Sequence, residues 1–148
     1  MSRYVFTDKT LEAVVNRHLA AENAHRMEET LAELHPDCMF EDLPLGKTYR
    51  GRAGAEAYYR LWWDAFDLEI RGERRHWSED GAFMIAQTRY QGIHRGRFLD
   101  YAPTDRPINL PLAVVIPFRD GLTAGERFYY DLATLLRQIG VLPALGLE

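Results

Sequence analysis

The sequence predicts an α+β fold in which helices come first, an antiparallel sheet follows and a short helix ends the chain. In the first half, apolar residues mostly recur at the three-to-four-residue spacing of helices. From about residue 67 to residue 130 they alternate with other residues, as in strands that bury one face. Helices and strands are thus segregated along the chain, which indicates an α+β class.

Two helices are predicted at the start of the chain. The first has a mostly apolar face, and its residues are Leu11, Val14, Val15, His18 and Leu19. Three residues could cap its start, namely Thr7, Asp8 and Thr10. The second helix runs from about Met27 to Leu34, and Pro36 is expected to end it because proline disrupts helical hydrogen bonding.

A buried strand, Asp37–Asp42, is predicted next, followed by a loop over Leu43–Arg52. Side chains alternate between the two faces of a strand, so Cys38, Phe40 and Asp42 share one face. A third helix begins near Gly54, and its buried face is unusually aromatic: Ala55, Tyr58, Tyr59, Trp62 and Phe66, widened by Trp63.

The second half predicts four strands: Asp67–Trp77, Ala82–His94, Pro107–Phe118 and Leu122–Tyr130. Turns are predicted at Ser78–Gly81 and at Arg119–Gly121. Two prolines in the third of these strands, Pro111 and Pro117, indicate an edge, a bend or a bulge.

A last helix is predicted after Asp131, which suits the N-cap position, and Gly140 suits the helix end. Its apolar face consists of Leu132, Leu135, Leu136 and Ile139. A curved antiparallel sheet covered by the three N-terminal helices would enclose a concave space of the kind that binds small ligands.

Composition narrows the classes of function. The 148 residues fit one domain, 1–148, and the net charge of −4 gives no reason to expect a nucleic-acid partner. Cys38 is the only cysteine, which excludes an intrachain disulfide. The sequence lacks a signal-like apolar start and any span of about 18 apolar residues, so a cytoplasmic protein without membrane contact is expected.

Cofactor motifs are missing from the sequence. The five histidines are scattered without ligand spacing, so no metal is expected. Neither a glycine-rich phosphate loop nor a GxSxG nucleophile motif is present, so no cofactor is predicted. The arginine-rich run Arg71–Arg75, which Glu73 interrupts, is interpreted as a solvated strand face.

Three segments resemble a known family: HPDCMFEDLPLGKTYRGRAGAEAYYR, GIHRGRFLDYAPTDRPINLP and FRDGLTAGERFYYDLATLLRQIG. They are similar to the SnoaL-like polyketide cyclases of the nuclear transport factor 2-like superfamily, which includes ketosteroid isomerases and limonene epoxide hydrolases. The resemblance covers about Leu11 to Gly140. It implies a cone-shaped α+β barrel with a deep apolar pocket, and usually a homodimer formed through the outer sheet.

Asp42 is the first candidate for chemistry. If Cys38 and Phe40 face inward, Asp42 does too, and a carboxylate in an apolar cavity can exchange protons with a carbon acid near neutral pH. The resemblance to ketosteroid isomerases implies a general base at this place. The alternative is a structural Asp at a strand end, either solvated or capping the loop.

His18 and Glu126 are the other catalytic candidates. The resemblance implies a hydrogen-bonding residue at about the position of His18, so His18 could donate to a substrate oxygen. The alternative is a buried histidine whose hydrogen bonds are satisfied by local partners. The resemblance also implies an essential Asp at Phe128 and a His near Val114, and this chain has neither. Glu126 shares the face of Phe128 and could be a displaced carboxylate, or it could pair with Arg127 or Arg97.

Aromatic and apolar side chains are expected to line the pocket and favour flat apolar molecules. The predicted substrate-binding residues are Phe40, Tyr58, Trp62, Tyr90, Val114, Phe128 and Tyr130. His94 is expected at the surface or at the mouth of the pocket.

The leading hypothesis is a cofactor-independent acid/base enzyme that acts on a small apolar carbonyl compound, by cyclisation or isomerisation. Asp42 would be the base, His18 a donor to the enolate and Glu126 a second acid. One alternative is a non-catalytic protein that binds small hydrophobic molecules. Another is an enzyme similar to epoxide hydrolases, with Asp42 and Glu126 holding a water.

Overall fold

The fold is α+β, as the sequence predicts, and a computed structural model describes residues 9–147. Thr7 and Asp8, two of the three cap candidates for the first helix, lie outside the described residues. The elements in chain order are α1 (Lys9–Asn23), α2 (Met27–Ala32), β1 (Leu34–Asp42), β2 (Lys47–Arg50), α3 (Gly51–Phe66), β3 (Glu69–Trp77), β4 (Phe83–Ile93), β5 (Pro107–Arg119), β6 (Leu122–Tyr130) and α4 (Leu132–Gln138).

The six strands form one curved sheet in the order β2-β1-β6-β5-β4-β3. Strands β3 to β6 pair antiparallel with their chain neighbours, but β1 pairs parallel with β6. The sheet is therefore mixed, whereas the sequence predicted antiparallel pairing throughout. A parallel pair needs a long connection, and here everything from β2 to β5 provides it.

Helix α3 lies against the sheet and supplies most of the aromatic core. Its buried residues are Ala55, Tyr58, Tyr59, Trp62, Trp63, Ala65 and Phe66. The ring of Trp62 lies 5.2 Å from that of Tyr90 in β4, and the ring of Tyr58 lies 5.8 Å from that of Phe40 in β1. Edge-to-face contacts of this kind add to the free energy of burying the rings.

The boundaries differ from the prediction around β1 and β2. Leu34, predicted to end α2, is instead the first residue of β1, and Pro36 lies within that strand where its register with β6 shifts. The predicted loop Leu43–Arg52 contains β2, which is short and mostly exposed and so has no alternating apolar signal. Gly46 adopts a φ of +64° in the turn between the two strands.

The two prolines of β5 lie where the sheet does not need their missing N–H groups. Pro111 lies before the first residue that pairs with β6, and Pro117 lies in a register shift between Val115 and Phe118. The bulge interpretation is thus correct for Pro117. Beside Pro111, the Gln138 side chain of α4 hydrogen-bonds both backbone groups of Asn109, which covers this open stretch of β5.

Helix ends follow the predicted chemistry at α4. The Asp131 side chain accepts a hydrogen bond from the backbone N–H of Ala133, as an N-cap does. Gly140 follows the helix with a φ of +82°, which glycine adopts without strain. Between residues 9 and 147, no helix is long and apolar enough to cross a membrane.

Candidate active site

A cavity of about 440 Å³ opens between α1 and the inner face of the sheet. Its floor is apolar, and its polar groups come from α1, β3, β4 and β6. The lining residues are Val15, His18, Leu19 and Glu22 from α1; Ile70, Gly72, Glu73, Arg74 and Arg75 from β3; Met84, Ala86, Gln87, Thr88 and Tyr90 from β4; and Val114, Ile116, Glu126 and Phe128 from β5 and β6.

The predicted site residues divide into two groups. His18, Glu126, Tyr90, Val114 and Phe128 line the cavity together. The remaining five are absent from its lining; these are Asp42, Phe40, Tyr58, Trp62 and Tyr130. The cavity is thus built around the His18 and Glu126 end of the predicted site.

A buried cluster of four polar side chains adjoins the cavity, and three of them line it, namely His18, Glu22 and Glu126. The Tyr59 hydroxyl oxygen lies 2.9 Å from His18 Nε2 and 3.4 Å from Glu126 Oε2. Glu22 Oε2 lies 3.6 Å from the same His18 nitrogen, one helical turn along α1. All four side chains are buried, so any charge on them would be held out of bulk water.

The hydrogen bonds fix the tautomer of His18. Its Nδ1 lies 3.1 Å from the carbonyl oxygen of Thr30, which can only accept, so Nδ1 carries the proton. Burial lowers the pKa of His18 to about 4, so the ring is neutral at pH 7 and Nε2 is bare. The Tyr59 hydroxyl therefore donates its one proton to His18 Nε2 while Glu126 is protonated, and it can turn to donate that proton to Glu126 Oε2 when this carboxyl ionises.

Burial also raises the pKa values of the two carboxyl groups in this cluster, Glu22 and Glu126. Removal from water raises the pKa of Glu126 to about 8, against the hydrogen bond from Tyr59, which lowers it. Burial raises the pKa of Glu22 well above its ordinary value, and the nearby charge of Glu126 raises it further. Both shifts favour the protonated form, so one carboxyl can donate a hydrogen bond while the other exchanges a proton.

Asp42 is buried, as its alternation with Cys38 and Phe40 predicts, but its oxygens are already bonded. Tyr58 donates to Oδ2 at 2.8 Å, and the Tyr130 hydroxyl lies 2.9 Å from both carboxylate oxygens. The backbone N–H of Leu45 donates to Oδ1 at 3.0 Å. Burial raises the pKa of Asp42, although these hydrogen bonds act in the opposite direction.

Two expectations about neighbouring residues are wrong. Glu126 is not paired with Arg127, because the Arg127 side chain extends to solvent and pairs with Glu41 at 2.7 Å. His94 is not at the surface: its ring is buried against Phe66, and its Nδ1 lies 3.0 Å from the Thr104 hydroxyl.

Sequence reasoning missed Glu22 and Tyr59. Glu22 follows His18 by four residues and so shares its helix face, but the sequence AAEN around it has no large apolar residue and resembles an exposed helix end. Tyr59 was predicted as part of the aromatic core, and its hydroxyl was overlooked. Among the described residues, no group of three or more His, Cys, Asp or Glu side chains is arranged to hold a metal ion.

Comparison with known proteins gives one family match. Residues 12–139 match the family described as SnoaL-like polyketide cyclase. No curated protein is significantly similar to the chain.

Solved structures share the fold. TsrD from Streptomyces laurentii is 24% identical, with a TM-score of 0.80 over 93% of this chain and 99% of TsrD. A hypothetical protein with a ketosteroid isomerase-like fold from Catenulispora acidiphila, in complex with trimethylamine, is 19% identical; its TM-score is 0.73 over 87% of this chain and 93% of its own. Bal32a, from a soil-derived mobile gene cassette, is 15% identical, with a TM-score of 0.73 over 88% of this chain and 96% of its own.

Proposed function

We propose, from the premise that this chain belongs to the SnoaL-like polyketide cyclase family, that it is a cofactor-independent acid/base enzyme acting on a small apolar carbonyl compound. The observation that carries the proposal is the buried Glu126 carboxyl, which lines an otherwise largely apolar cavity beside Tyr59, His18 and Glu22. A general base or acid works best when its pKa lies near the operating pH, and the pKa of Glu126 is about 8.

In the proposed reaction, ionised Glu126 removes a proton from the carbon next to the substrate carbonyl. The C–H electron pair forms the carbon–carbon double bond of an enolate, and the carbonyl π electrons move to oxygen. In an isomerisation, Glu126 returns the proton to a different carbon. In a cyclisation, the enolate carbon attacks a second carbonyl carbon of the same molecule, and Glu126 gives its proton to the resulting alkoxide.

Glu22 is proposed to stabilise the enolate oxygen. Burial raises its pKa and so favours the protonated carboxyl, which can donate a hydrogen bond inside the cavity. One such donor to a developing oxyanion is worth about 2.7–4 kcal/mol.

His18 and Tyr59 are proposed as positioning residues. Neutral His18 uses its proton on Thr30 and receives one from Tyr59, so it has none to give to a substrate oxygen. The sequence-based role of His18 as an enolate donor is therefore replaced by one in which it orients Tyr59 toward Glu126.

Asp42 is proposed as a structural residue rather than the base. Its two oxygens receive hydrogen bonds from Tyr58, Tyr130 and Leu45, and it is absent from the cavity lining. A base needs a free lone pair that can reach the substrate proton. Phe40, Tyr58, Trp62 and Tyr130, predicted as substrate contacts, are proposed to support the cavity wall instead.

A non-catalytic binding protein is the second candidate. The buried ring of Phe128 favours it, because it makes the cavity more apolar at the position where the resemblance implies an acid. Such a protein would bind flat apolar ketones without exchanging their protons.

Proton exchange distinguishes the two candidates. We expect the protein to catalyse the exchange of the methyl protons of 2-acetylnaphthalene for deuterium in D₂O. Proton NMR measures the rate of this exchange. The Glu126→Gln variant should lower this rate by at least about 100-fold, the usual contribution of a general base. Glu56→Gln, on the solvent face of α3, is the matched control and should leave the rate unchanged. Binding of the ketone without exchange would favour the binding protein, and absence of both would reject the proposal.

Several sequence-based expectations stay predictions. The resemblance implies a homodimer, which sedimentation equilibrium would measure. A single domain over 1–148 predicts one cooperative unfolding transition. A cytoplasmic location and independence from cofactors are likewise retained as predictions.

A further inference from the structure

A bulge in β3 changes which side chains of that strand face the cavity. Gly72 pairs with Thr88 of β4, but the next pair is Arg74 with Gln87, so Glu73 is an extra residue without a partner. Paired residues of neighbouring strands point to the same face. Before the bulge the inward residues include Gly72, and after it they include Arg75, which pairs with the buried Ala86. Without the bulge, Arg74 would take the inward position.

Arg75 lies at the mouth of the cavity, and most of its N–H donors have no partner within residues 9–147. Its Nη1 donates to Asn16 Oδ1 of α1 at 2.7 Å, which holds the guanidinium across the opening. Arg75 makes no ion pair within residues 9–147, and Glu73, which also lines the mouth, pairs with Arg89. A guanidinium has five N–H donors in a fixed fork, so most of them remain available to a ligand.

We infer that Arg75 binds a carboxylate on the ligand, so that the cavity takes an apolar acid whose anionic group lies at the mouth and whose carbonyl lies near Glu126. A guanidinium matches a carboxylate with two parallel hydrogen bonds, and the adjacent Arg74 adds positive charge at the same opening. This inference rests on the proposed function, because it assumes that the cavity holds a small carbonyl compound. It narrows the substrate class from apolar ketones to apolar keto acids.

Two naphthalenes that differ in one group test the inference. The fluorescent dye N-phenyl-1-naphthylamine reports occupancy of the cavity, and 2-naphthoate and 2-acetylnaphthalene compete with it. We expect the wild-type protein to bind the carboxylate roughly fivefold more tightly than the ketone, the size of an exposed ion pair. Arg75→Gln should remove this preference and leave the affinity for the ketone unchanged, whereas Arg75→Lys should keep part of it.

Arg71→Gln is the matched control, because it removes the same charge from β3 at an exposed position outside the cavity lining. Equal affinities of the wild-type protein for the two naphthalenes would overturn the inference. An equal loss of affinity for both naphthalenes in Arg75→Gln would also overturn the inference, because it would mean that the only role of Arg75 is to hold Asn16. In either case binding of the ketone would leave the proposed function intact, and absence of binding by both compounds would reject the two proposals together.

Discussion

The Tyr59 hydroxyl lies 2.9 Å from the bare Nε2 of His18, and this buried contact joins α3 to α1. The bond has a direction, because the His18 proton is on the other nitrogen and is held by Thr30. The same hydroxyl lies 3.4 Å from Glu126 Oε2, to which it can donate its proton when Glu126 is ionised. A single hydroxyl thus links the neutral ring to the carboxyl group that we propose as the base.

Replacing Tyr59 with Phe should move the pH dependence of the exchange reaction. The hydrogen bond from Tyr59 lowers the pKa of Glu126, so its removal should raise that pKa above about 8. The active form of the base is the ionised one, so the rate should rise with pH and level off only above the pKa. We expect the midpoint of the kcat/KM profile to shift upward in Tyr59→Phe, measured by proton NMR between pH 6 and pH 10.

The control for this shift is Tyr49→Phe, which removes a hydroxyl from β2, outside the cavity lining. It should leave the midpoint unchanged. A rate that falls in Tyr59→Phe with an unmoved midpoint would contradict the link between Tyr59 and the pKa of Glu126.

Buried Glu126 should make the protein less stable as the pH rises. Its pKa is about 8 in the folded state and near 4.5 once unfolded, so between these values only the folded state keeps the proton. The free energy of unfolding then falls with rising pH, by up to about 1.4 kcal/mol per unit for one proton. Glu22, whose pKa is raised as well, adds to this fall. Glu126→Gln should reduce the loss of stability between pH 6 and pH 9, measured by urea unfolding.

His18 provides the opposite sign as an internal check. Its pKa is about 4 when folded and 6.5 when unfolded, so in this interval only the unfolded state binds the proton and stability falls as the pH falls. His18→Gln should reduce the loss below pH 6 without changing the slope above pH 7. Parallel slopes for the wild type and Glu126→Gln above pH 7 would mean that Glu126 is not protonated in the folded protein.

Asp42→Asn should destabilise the fold without removing the exchange reaction. The change weakens the hydrogen bonds with Tyr58 and Tyr130, which are buried and half-buried, and we expect a loss of about 1–3 kcal/mol in the free energy of unfolding. Glu41→Gln is the neighbouring control, since Glu41 is only partly buried and pairs with Arg127, whose side chain is exposed. An Asp42→Asn protein with normal stability and no exchange activity would restore Asp42 as the catalytic base.

The contrast between Asp42 and Glu126 shows how far the sequence leads. Strand alternation predicts that Asp42 faces inward with Phe40, and this is what the structure contains. Alternation is a local property and does not say which side chains of α3 and β6 meet that carboxylate. Its bond from Tyr130, a residue 88 positions away, depends on the parallel pairing of β1 with β6, and its bond from Tyr58 depends on the packing of α3 against β1.

Sequence patterns also fail to predict short exposed strands and the hydrogen-bond partners of single hydroxyl groups. Strand β2 has four mostly exposed residues, so it carries no alternation to detect. The aromatic face of α3 predicts that Tyr59 is buried, but burial alone does not identify the partner of its hydroxyl. The register shift at Glu73, which turns Arg75 inward, leaves no local signal other than an interrupted arginine run.

Gly72→Phe should close the cavity while leaving the fold intact. A Cβ at Gly72 would meet no atom within 4 Å, and the residue lines the mouth on the same face as Thr88. Glycine weakens a strand, so the substitution should keep or raise the free energy of unfolding, by up to about 1 kcal/mol. The ring should occupy the opening and lower the affinity for N-phenyl-1-naphthylamine, measured by fluorescence titration. Arg71→Phe adds the same ring to β3 outside the lining and should leave that affinity unchanged; equal affinities in the two variants would show that ligands reach the cavity by another route.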